Sequence, residues 1–242
     1  MGVKLLDLPE VAGLLKGRRV FGFHEDFLDF VSGDLFTDTS ADSGASWANT
    51  DAAGGVVTAA TGATDNNEAY LLTTKELFLF AENKPAVFES RSKFTEANTD
   101  DANVALGFMS AVAANSILDD GGGPAASYSG ALFFKVDGGT NWWVEVSIAG
   151  TQTTVELTAV NSLDKTAHTS GGGSYQIHRI EVIPVSSTKA DVRFFIDDVL
   201  VYVVKDWTYT SVTEMNAFYG VKAGGANSET PAVDYIDAWQ AR

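Results

Sequence analysis

The amino-acid sequence predicts an all-β protein built from two antiparallel sheets packed face to face. From Phe21 onward, apolar and polar residues alternate with a period of two in short runs, and amphipathic helices do not intervene. Turn-forming stretches such as Asp137-Gly138-Gly139 and Gly171-Gly172-Gly173 separate the runs. The length of 242 residues suits a single domain, since β-sandwiches reach about 200–250 residues. We therefore expect one sandwich domain over residues 21–242, preceded by an arm over residues 1–20.

Two runs show the alternation most clearly. In Val87–Phe94 the aromatic residues share one face of the predicted strand and the charged residues share the other. In Trp142–Ile148, Trp142 shares a face with aliphatic residues, whereas Trp143 points the opposite way with Glu145. Each run predicts a strand that is buried on one face. The same pattern continues in Val155–Leu157, Ile180–Val182 and Val192–Ile196.

Two segments lack this alternation. Ser32–Asn67 is rich in small and polar residues, which predicts loops and short edge strands. Asp119–Ser129 contains three successive glycines and predicts a flexible surface loop.

The N-terminal arm differs in composition from the body. Asp7 followed by Glu10, with Pro9 in the first turn, is typical of a helix start, and Gly17 ends the predicted helix. The arm carries a net charge of +2, so residues 21–242 carry −18. A helix of about ten residues is marginal alone, so it packs either on its own domain or on a neighbouring subunit, and both possibilities remain open. The residues available for such packing are Leu8, Val11, Leu14, Leu15, Lys16, Arg18 and Arg19.

The charge and the cysteine count exclude several classes of function. The 32 acidic residues outnumber the 16 basic residues, and a protein this acidic repels nucleic acid and anionic membranes. No stretch approaches the roughly 18 apolar residues of a membrane span. The absence of cysteine excludes thiolate catalysis, cysteine-ligated zinc and disulfides. Asp7 and Glu10 interrupt any signal peptide, so we expect synthesis in a cytoplasm.

Three stretches resemble the concanavalin-A-like jelly roll of legume lectins, laminin G modules and laminarinase-type glycoside hydrolases. Phe23–Phe27 is similar to the opening strand of those hydrolases, Val192–Tyr202 to a hairpin, and Val233–Gln240 to the closing strand. The resemblance implies that the first and last strands of the body pair. Within the hairpin, Asp198 stands where the family usually has glycine. A two-residue turn requires positive φ there, which Asp tolerates at a modest cost.

The resemblance also locates the strand on which those hydrolases carry their catalytic residues. They need two carboxylates about 5–5.5 Å apart across the scissile bond, and the family supplies them in the pattern Glu-x-Asp-x-x-Glu. No glutamate of this sequence begins that pattern, and Gly130–Val136, where the catalytic strand is expected, contains no carboxylate. We therefore expect no enzymatic activity.

A structural calcium ion is a further implication of the resemblance. Many members of the fold hold Ca²⁺ between the first and last strands, with an aspartate at the position that matches Asp234. The expected strand pairing brings Asp26 nearby, and hard cations take oxygen ligands of this kind. The alternative is that Asp234 is an exposed strand residue without a metal. Among the histidines, His178 is expected to be a hydrogen-bonded core residue, because it shares a strand face with Ile180 and Val182. No other histidine lies at metal-ligand spacing from it.

The likeness to lectins implies carbohydrate binding. Sugar sites stack a ring on an exposed aromatic side chain and anchor its hydroxyls with polar groups. The candidates are Trp47, which lies in a polar segment, Trp143, which points away from Trp142, and Trp207. The alternative is that each of these side chains only covers the sheet.

A cysteine-free acidic sandwich with a short basic arm resembles a virion protein of tailed bacteriophages, in particular a head decoration or cement protein. The expected partners are the major capsid protein and further copies of this chain, in a symmetric oligomer such as a trimer on the capsid surface. Many weak contacts would then add through multivalency. Two alternatives remain open: a lectin-like carbohydrate-binding module of a phage fibre or cell surface, and a divergent glycoside hydrolase.

Overall fold

The computed structural model describes residues 19–39, 45–98, 100–210 and 212–242 of the chain. Within these ranges the chain forms fifteen β-strands, which confirms the all-β prediction. In chain order they are β1 (Val20–Glu25), β2 (Phe36–Thr39), β3 (Ala48–Asn49), β4 (Val57–Thr58), β5 (Glu68–Thr73), β6 (Ala86–Thr95), β7 (Ala102–Met109), β8 (Gly130–Lys135), β9 (Trp143–Ile148), β10 (Thr151–Glu156), β11 (Gln176–Pro184), β12 (Lys189–Ile196), β13 (Val199–Thr208), β14 (Asn216–Ala223) and β15 (Thr230–Ala241).

The strands form two antiparallel sheets that pack face to face. The eight-stranded sheet has the order β13-β12-β11-β6-β15-β4-β3, with β1 also paired to β15. The seven-stranded sheet has the order β10-β9-β8-β7-β14-β5-β2. Strand β1 runs along β15 from Val20 opposite Ala241 to Glu25 opposite Ile236. The expected pairing of the first and last strands of the body is therefore confirmed.

Alternation along the strands decides which side chains enter the core. On β6, Phe88 and Phe94 are buried between the sheets, whereas Glu89 and Arg91 remain partly exposed. The ring of Phe108, from the opposite sheet, lies 5.8 Å from the ring of Phe88, centroid to centroid. Complete burial of one such side chain stabilises a protein by about 1.5–3 kcal/mol. Aromatic contacts of this kind therefore help to join the two sheets in the core.

A second apolar layer lies on the outer face of the seven-stranded sheet. Strands β7 and β14 are buried at every residue, so both of their faces are covered. The connection between β7 and β8, residues 110–129, provides the cover, and we call it the covering loop. Tyr128 in this loop is 2% exposed, so the segment predicted to be a flexible surface loop contributes to the packing instead. The side chains that meet in this layer include Ile117, Tyr128, Tyr70, Leu132 and Phe218.

The hairpin between β12 and β13 turns through Asp197 and Asp198. Their φ angles are 49° and 65°. A two-residue turn with positive φ at both central residues matches the twist of the flanking strands. Asp198 thus adopts the conformation expected from the sequence. Within the described residues, no helix is both long enough and apolar enough to cross a membrane.

Candidate functional site

Trp143 is a partly exposed aromatic side chain on the outer face of the seven-stranded sheet. It begins β9, and its neighbour Trp142 is buried on the core side. The indole of Trp143 stacks on the ring of Phe134 in β8, with 5.8 Å between ring centroids and an angle of 24° between the ring planes. This contact holds the indole in one orientation against the sheet.

Two surface depressions adjoin Trp143. The first, of about 240 Å³, lies between Trp143 and the Gly121–Pro124 stretch of the covering loop, and includes Glu145 and Gln152. The second, of about 570 Å³, extends towards the edges of both sheets. Thr154 lines both depressions. We call this region the Trp143 site. The lining of the second depression is completed by Val155, Glu156, Val160, Asn161 and Tyr202.

Glu145 is a buried carboxylate at the base of the first depression. Its Oε1 accepts hydrogen bonds from the Tyr128 hydroxyl at 2.6 Å and from Gln152 Nε2 at 2.7 Å. Its Oε2 accepts from the Thr154 hydroxyl at 2.5 Å. Burial raises the pKa of Glu145, and the three hydrogen bonds oppose that effect. Both oxygens are engaged, so Glu145 positions Gln152 and Thr154 at the surface.

Glu156 is the second carboxylate of the site, and it is partly exposed. It pairs with Trp143 across the β9–β10 ladder. Its Oε1 accepts a hydrogen bond from Asn141 Nδ2 at 2.7 Å. An acidic group therefore lies beside the indole, where it can accept hydrogen bonds from a bound molecule.

Polar contacts anchor the covering loop and close the centre of the outer face. The backbone N–H of Ile117 donates to the Tyr70 hydroxyl at 3.0 Å, and that hydroxyl donates to Glu68 at 2.5 Å. Lys222 Nζ is fully buried and donates to Asn115 Oδ1 at 2.6 Å. Lys222 also forms an ion pair with Asp119 of the loop. These contacts hold the covering loop over the centre of the outer face, next to the side that carries Trp143.

The architecture is shared with solved structures, although no family model and no curated protein matches this chain. Peanut lectin superposes with a TM-score of 0.58 at 9% identity, covering 91% of this chain and 97% of the lectin. An endo-1,3-beta-glucanase from Streptomyces sioyaensis gives 0.56 at 13% identity, covering 92% and 97%. The potassium-bound carbohydrate recognition domain of Emp46p gives 0.57 at 9% identity, covering 88% and 94%. The chain has the concanavalin-A-like jelly-roll fold.

Two of the three predicted sugar-stacking tryptophans are buried in the core of this jelly roll. Trp47 is 5% exposed and meets Tyr219 edge to face, with ring centroids 5.9 Å apart. Trp207 is 7% exposed and meets Phe80 in the same way at 5.9 Å. Neither indole presents a face to solvent, so the expectation of exposed rings at these two positions is corrected. Trp143 remains as the candidate.

The calcium site suggested for the jelly roll does not fit the residues present. The guanidinium of Arg91 contacts the carboxylate of Asp234, so a cationic side chain already neutralises it. Across the described ranges, no group of three or more acidic or histidine side chains is arranged to hold a metal ion. Asp26 and Asp234 therefore do not form the expected ligand set, because a hard cation needs several oxygen ligands.

His178 is buried, as expected, but it is not hydrogen-bonded within the described part of the chain. Its ring lies edge to face with Trp142 at 4.4 Å and with Phe133 at 4.9 Å between centroids. Burial lowers the pKa of His178 to about 3. The imidazole is therefore neutral and acts as an aromatic core residue.

Gly130–Val136, where the resemblance led us to expect the catalytic strand, forms β8 over Gly130–Lys135. Its outward side chains include Leu132 and Phe134, which pack under the covering loop. Its buried Lys135 points the other way and donates to Glu96 Oε1 at 2.7 Å. Strand β8 thus contributes packing and the support beneath Trp143.

The arm residues Leu8, Val11, Leu14, Leu15, Lys16 and Arg18 lie outside the described residues. Arg19 is described and exposed, and its carbonyl accepts a hydrogen bond from the Arg242 backbone N–H at 2.8 Å. The arm therefore joins the sandwich beside the end of β15.

The sequence interpretation missed the polar residues that surround Trp143. Gln152, Thr154 and Glu156 alternate along β10 with a period of two, which places them on one face of the strand. Strand β10 pairs with β9 after a tight turn at Ala149-Gly150. This pattern was the available signal, because a hairpin partner of β9 has to set its outward side chains beside Trp143.

Proposed function

We propose that this chain is a non-enzymatic binding protein that recognises the apolar face of a sugar ring at Trp143. The observation that carries the proposal is the partly exposed indole, which Phe134 supports and two depressions flank. Gln152, Thr154 and Asn161 offer amide and hydroxyl groups around it, the chemistry that orients sugar hydroxyls. Peanut lectin and the carbohydrate recognition domain of Emp46p have the same fold, which adds support for carbohydrate binding.

A non-catalytic role is favoured by the state of Glu145. General acid catalysis requires a carboxyl group with a proton to deliver and a path to the glycosidic oxygen. Both oxygens of Glu145 instead accept hydrogen bonds from Tyr128, Gln152 and Thr154. A divergent glycoside hydrolase is tested by turnover of β-glucans. Release of reducing ends by the wild type that Glu145→Gln abolishes would contradict a non-catalytic role.

A glycan array followed by calorimetry on the tightest glycan tests the proposal. Trp143→Ala should lower the affinity about five- to thirtyfold, since loss of one aromatic–ring stacking contact of this kind costs on the order of 1–2 kcal/mol. Trp239→Ala, at a partly exposed tryptophan on the other sheet, is the matched control and should leave binding unchanged. The proposal is wrong if no glycan binds, or if both variants bind as the wild type does.

A second candidate function is decoration of a tailed-bacteriophage capsid, with the major capsid protein and copies of this chain as partners. The observation that favours it is the junction of the basic arm with the sandwich at Arg19 and Arg242, on the edge strand β1. The chain would then assemble as a symmetric oligomer such as a trimer on the virion surface, after synthesis in the bacterial cytoplasm. Deletion of residues 1–19 should abolish binding to empty capsids while the sandwich stays folded. Unchanged capsid binding would contradict this candidate.

A further inference from the structure

The charged side chains that line the Trp143 site are acidic. Glu145 and Glu156 line its two depressions, and no lysine or arginine does so among the described residues. At the rim, Lys165 Nζ lies 3.4 Å from the carbonyl oxygen of Val160. Asp164, next to Lys165, pairs with His168 at 3.0 Å. The local balance is therefore negative.

The carboxylate of Glu156 lies where it would interact with a charged substituent of a sugar ring stacked on Trp143. The two residues are direct partners across adjacent strands, and side chains in such pairs have Cβ atoms about 4.5–5.5 Å apart. Asn141 engages one oxygen of Glu156 and thereby orients the carboxylate. A substituent on the edge of a stacked sugar would meet this carboxylate first.

An indole face beside a carboxylate is suited to a cationic substituent. An ammonium group is attracted to the negative face of an aromatic ring and forms charge-assisted hydrogen bonds with a carboxylate. An anionic substituent at the same position would meet like charge with no lysine or arginine to neutralise it, which suppresses binding of the wrong ligand. The hydroxyl groups of a neutral sugar can also bind at this site, because the side chains of Gln152 and Thr154 can both donate and accept hydrogen bonds.

We propose that the Trp143 site discriminates among sugars by charge, with Glu156 as the specificity-determining residue. The site accepts neutral sugars, binds amino sugars with a free ammonium group more tightly, and binds uronates and sulfated sugars more weakly. This inference rests on the proposed function, since it requires that a sugar stacks on Trp143.

The test compares β-1,4-linked tetramers of glucose, glucosamine and glucuronate by calorimetry near pH 6, where the amines are largely protonated. The wild type should bind the glucosamine tetramer about three- to fivefold more tightly than the glucose tetramer, the scale of one exposed ion pair, and should bind the glucuronate tetramer more weakly than the glucose tetramer by a similar factor. Glu156→Gln should equalise the first two affinities, because it removes the charge and keeps the shape of the side chain. Added salt should reduce the preference in the wild type alone.

The control variant is Glu214→Gln, which makes the same chemical change at an exposed residue outside the site. Because the whole chain is acidic, a preference for glucosamine that Glu214→Gln and Glu156→Gln leave equally unchanged would reflect overall charge and overturn the inference. Binding of the glucuronate tetramer as tight as that of the glucose tetramer, or no binding of any tetramer, would also overturn it. A different result would contradict the proposed function itself: no glycan on the array would bind in a way that depends on Trp143.

Discussion

Trp142 and Trp143 are neighbours in the chain, and their side chains lie on opposite faces of the seven-stranded sheet. Trp142 is 2% exposed, donates from Nε1 to Gln176 Oε1 at 2.9 Å and packs against His178. Trp143 stacks on Phe134 at the surface. One peptide bond thus separates a residue of the core from a residue of the candidate site.

The different environments of the two tryptophans predict different losses of stability when each is replaced by alanine. Trp142→Ala should lower the free energy of unfolding by about 3–5 kcal/mol, because it leaves a cavity in the aromatic core. Trp143→Ala should lower it by only about 1–2 kcal/mol, because the side chain is partly exposed and loses one stacking contact. Urea unfolding of both variants measures the difference. Equal losses in the two variants would contradict the assigned environments.

Glu145 should stabilise the fold through the three hydrogen bonds that its carboxylate accepts. Glu145→Ala leaves the buried Tyr128 hydroxyl without its acceptor, and an unsatisfied buried group costs about 1–3 kcal/mol. The double variant Glu145→Ala/Tyr128→Phe removes both partners, so part of that loss should be recovered. A double-mutant cycle by urea unfolding measures the coupling. Strict additivity of the two single variants would argue against this hydrogen bond.

His178 should make the protein less stable as the pH falls. The ordinary histidine pKa is about 6.5, and burial lowers the pKa of His178 to about 3 in the folded protein. Between these values the unfolded chain takes up a proton that the folded chain does not, so this term of the unfolding free energy decreases by about 1.4 kcal/mol for each unit of decreasing pH. His178→Leu should remove this slope. Unfolding free energies at pH 7.5 and 5.0 that differ equally for the variant and the wild type would contradict the prediction.

Glu229 should make the protein less stable as the pH rises. Its side chain is fully buried, and burial, followed by repulsion from Glu96 and Asp101, raises its pKa to about 7 from an ordinary value of 4.5. The folded form holds a proton that the unfolded form releases, so this contribution is complete below pH 4.5 and is lost as the pH rises to about 7. Glu229→Gln should therefore raise the unfolding free energy at pH 8 relative to the wild type, by about 1–3 kcal/mol. Glu214→Gln is the matched control and should change it little at either pH. An equal effect of Glu229→Gln at pH 4 and pH 8 would rule out titration as the cause.

Much of the fold could be predicted because its strands carry the period-two pattern. The outward Glu89 and Arg91 and the inward Phe88 follow from that pattern alone. The covering loop could not be located in this way, because its packing depends on which face of a distant sheet is apolar. A partial signal existed in the nearly continuous apolar composition of β7, which is typical of strands buried on both faces.

The candidate site could be predicted only in part. Trp143 follows from its alternation with Trp142. Trp207 lies between the polar residues Asp206 and Thr208, both of which are exposed. It is buried because it lies opposite Ala190 and meets Phe80, a contact between residues far apart in the sequence. Such long-range packing overrides local composition.

The most direct test of sugar recognition at Trp143 is an NMR titration that follows the indole N–H signals of the five tryptophans. The ligand is the tightest glycan found on the array, and the signals are assigned with single Trp→Phe variants. We expect the Trp143 signal to shift with saturation at the affinity measured by calorimetry, while the signals of Trp47, Trp142, Trp207 and Trp239 stay in place. A saturable shift at another tryptophan with no change at Trp143 would contradict the assignment of this site.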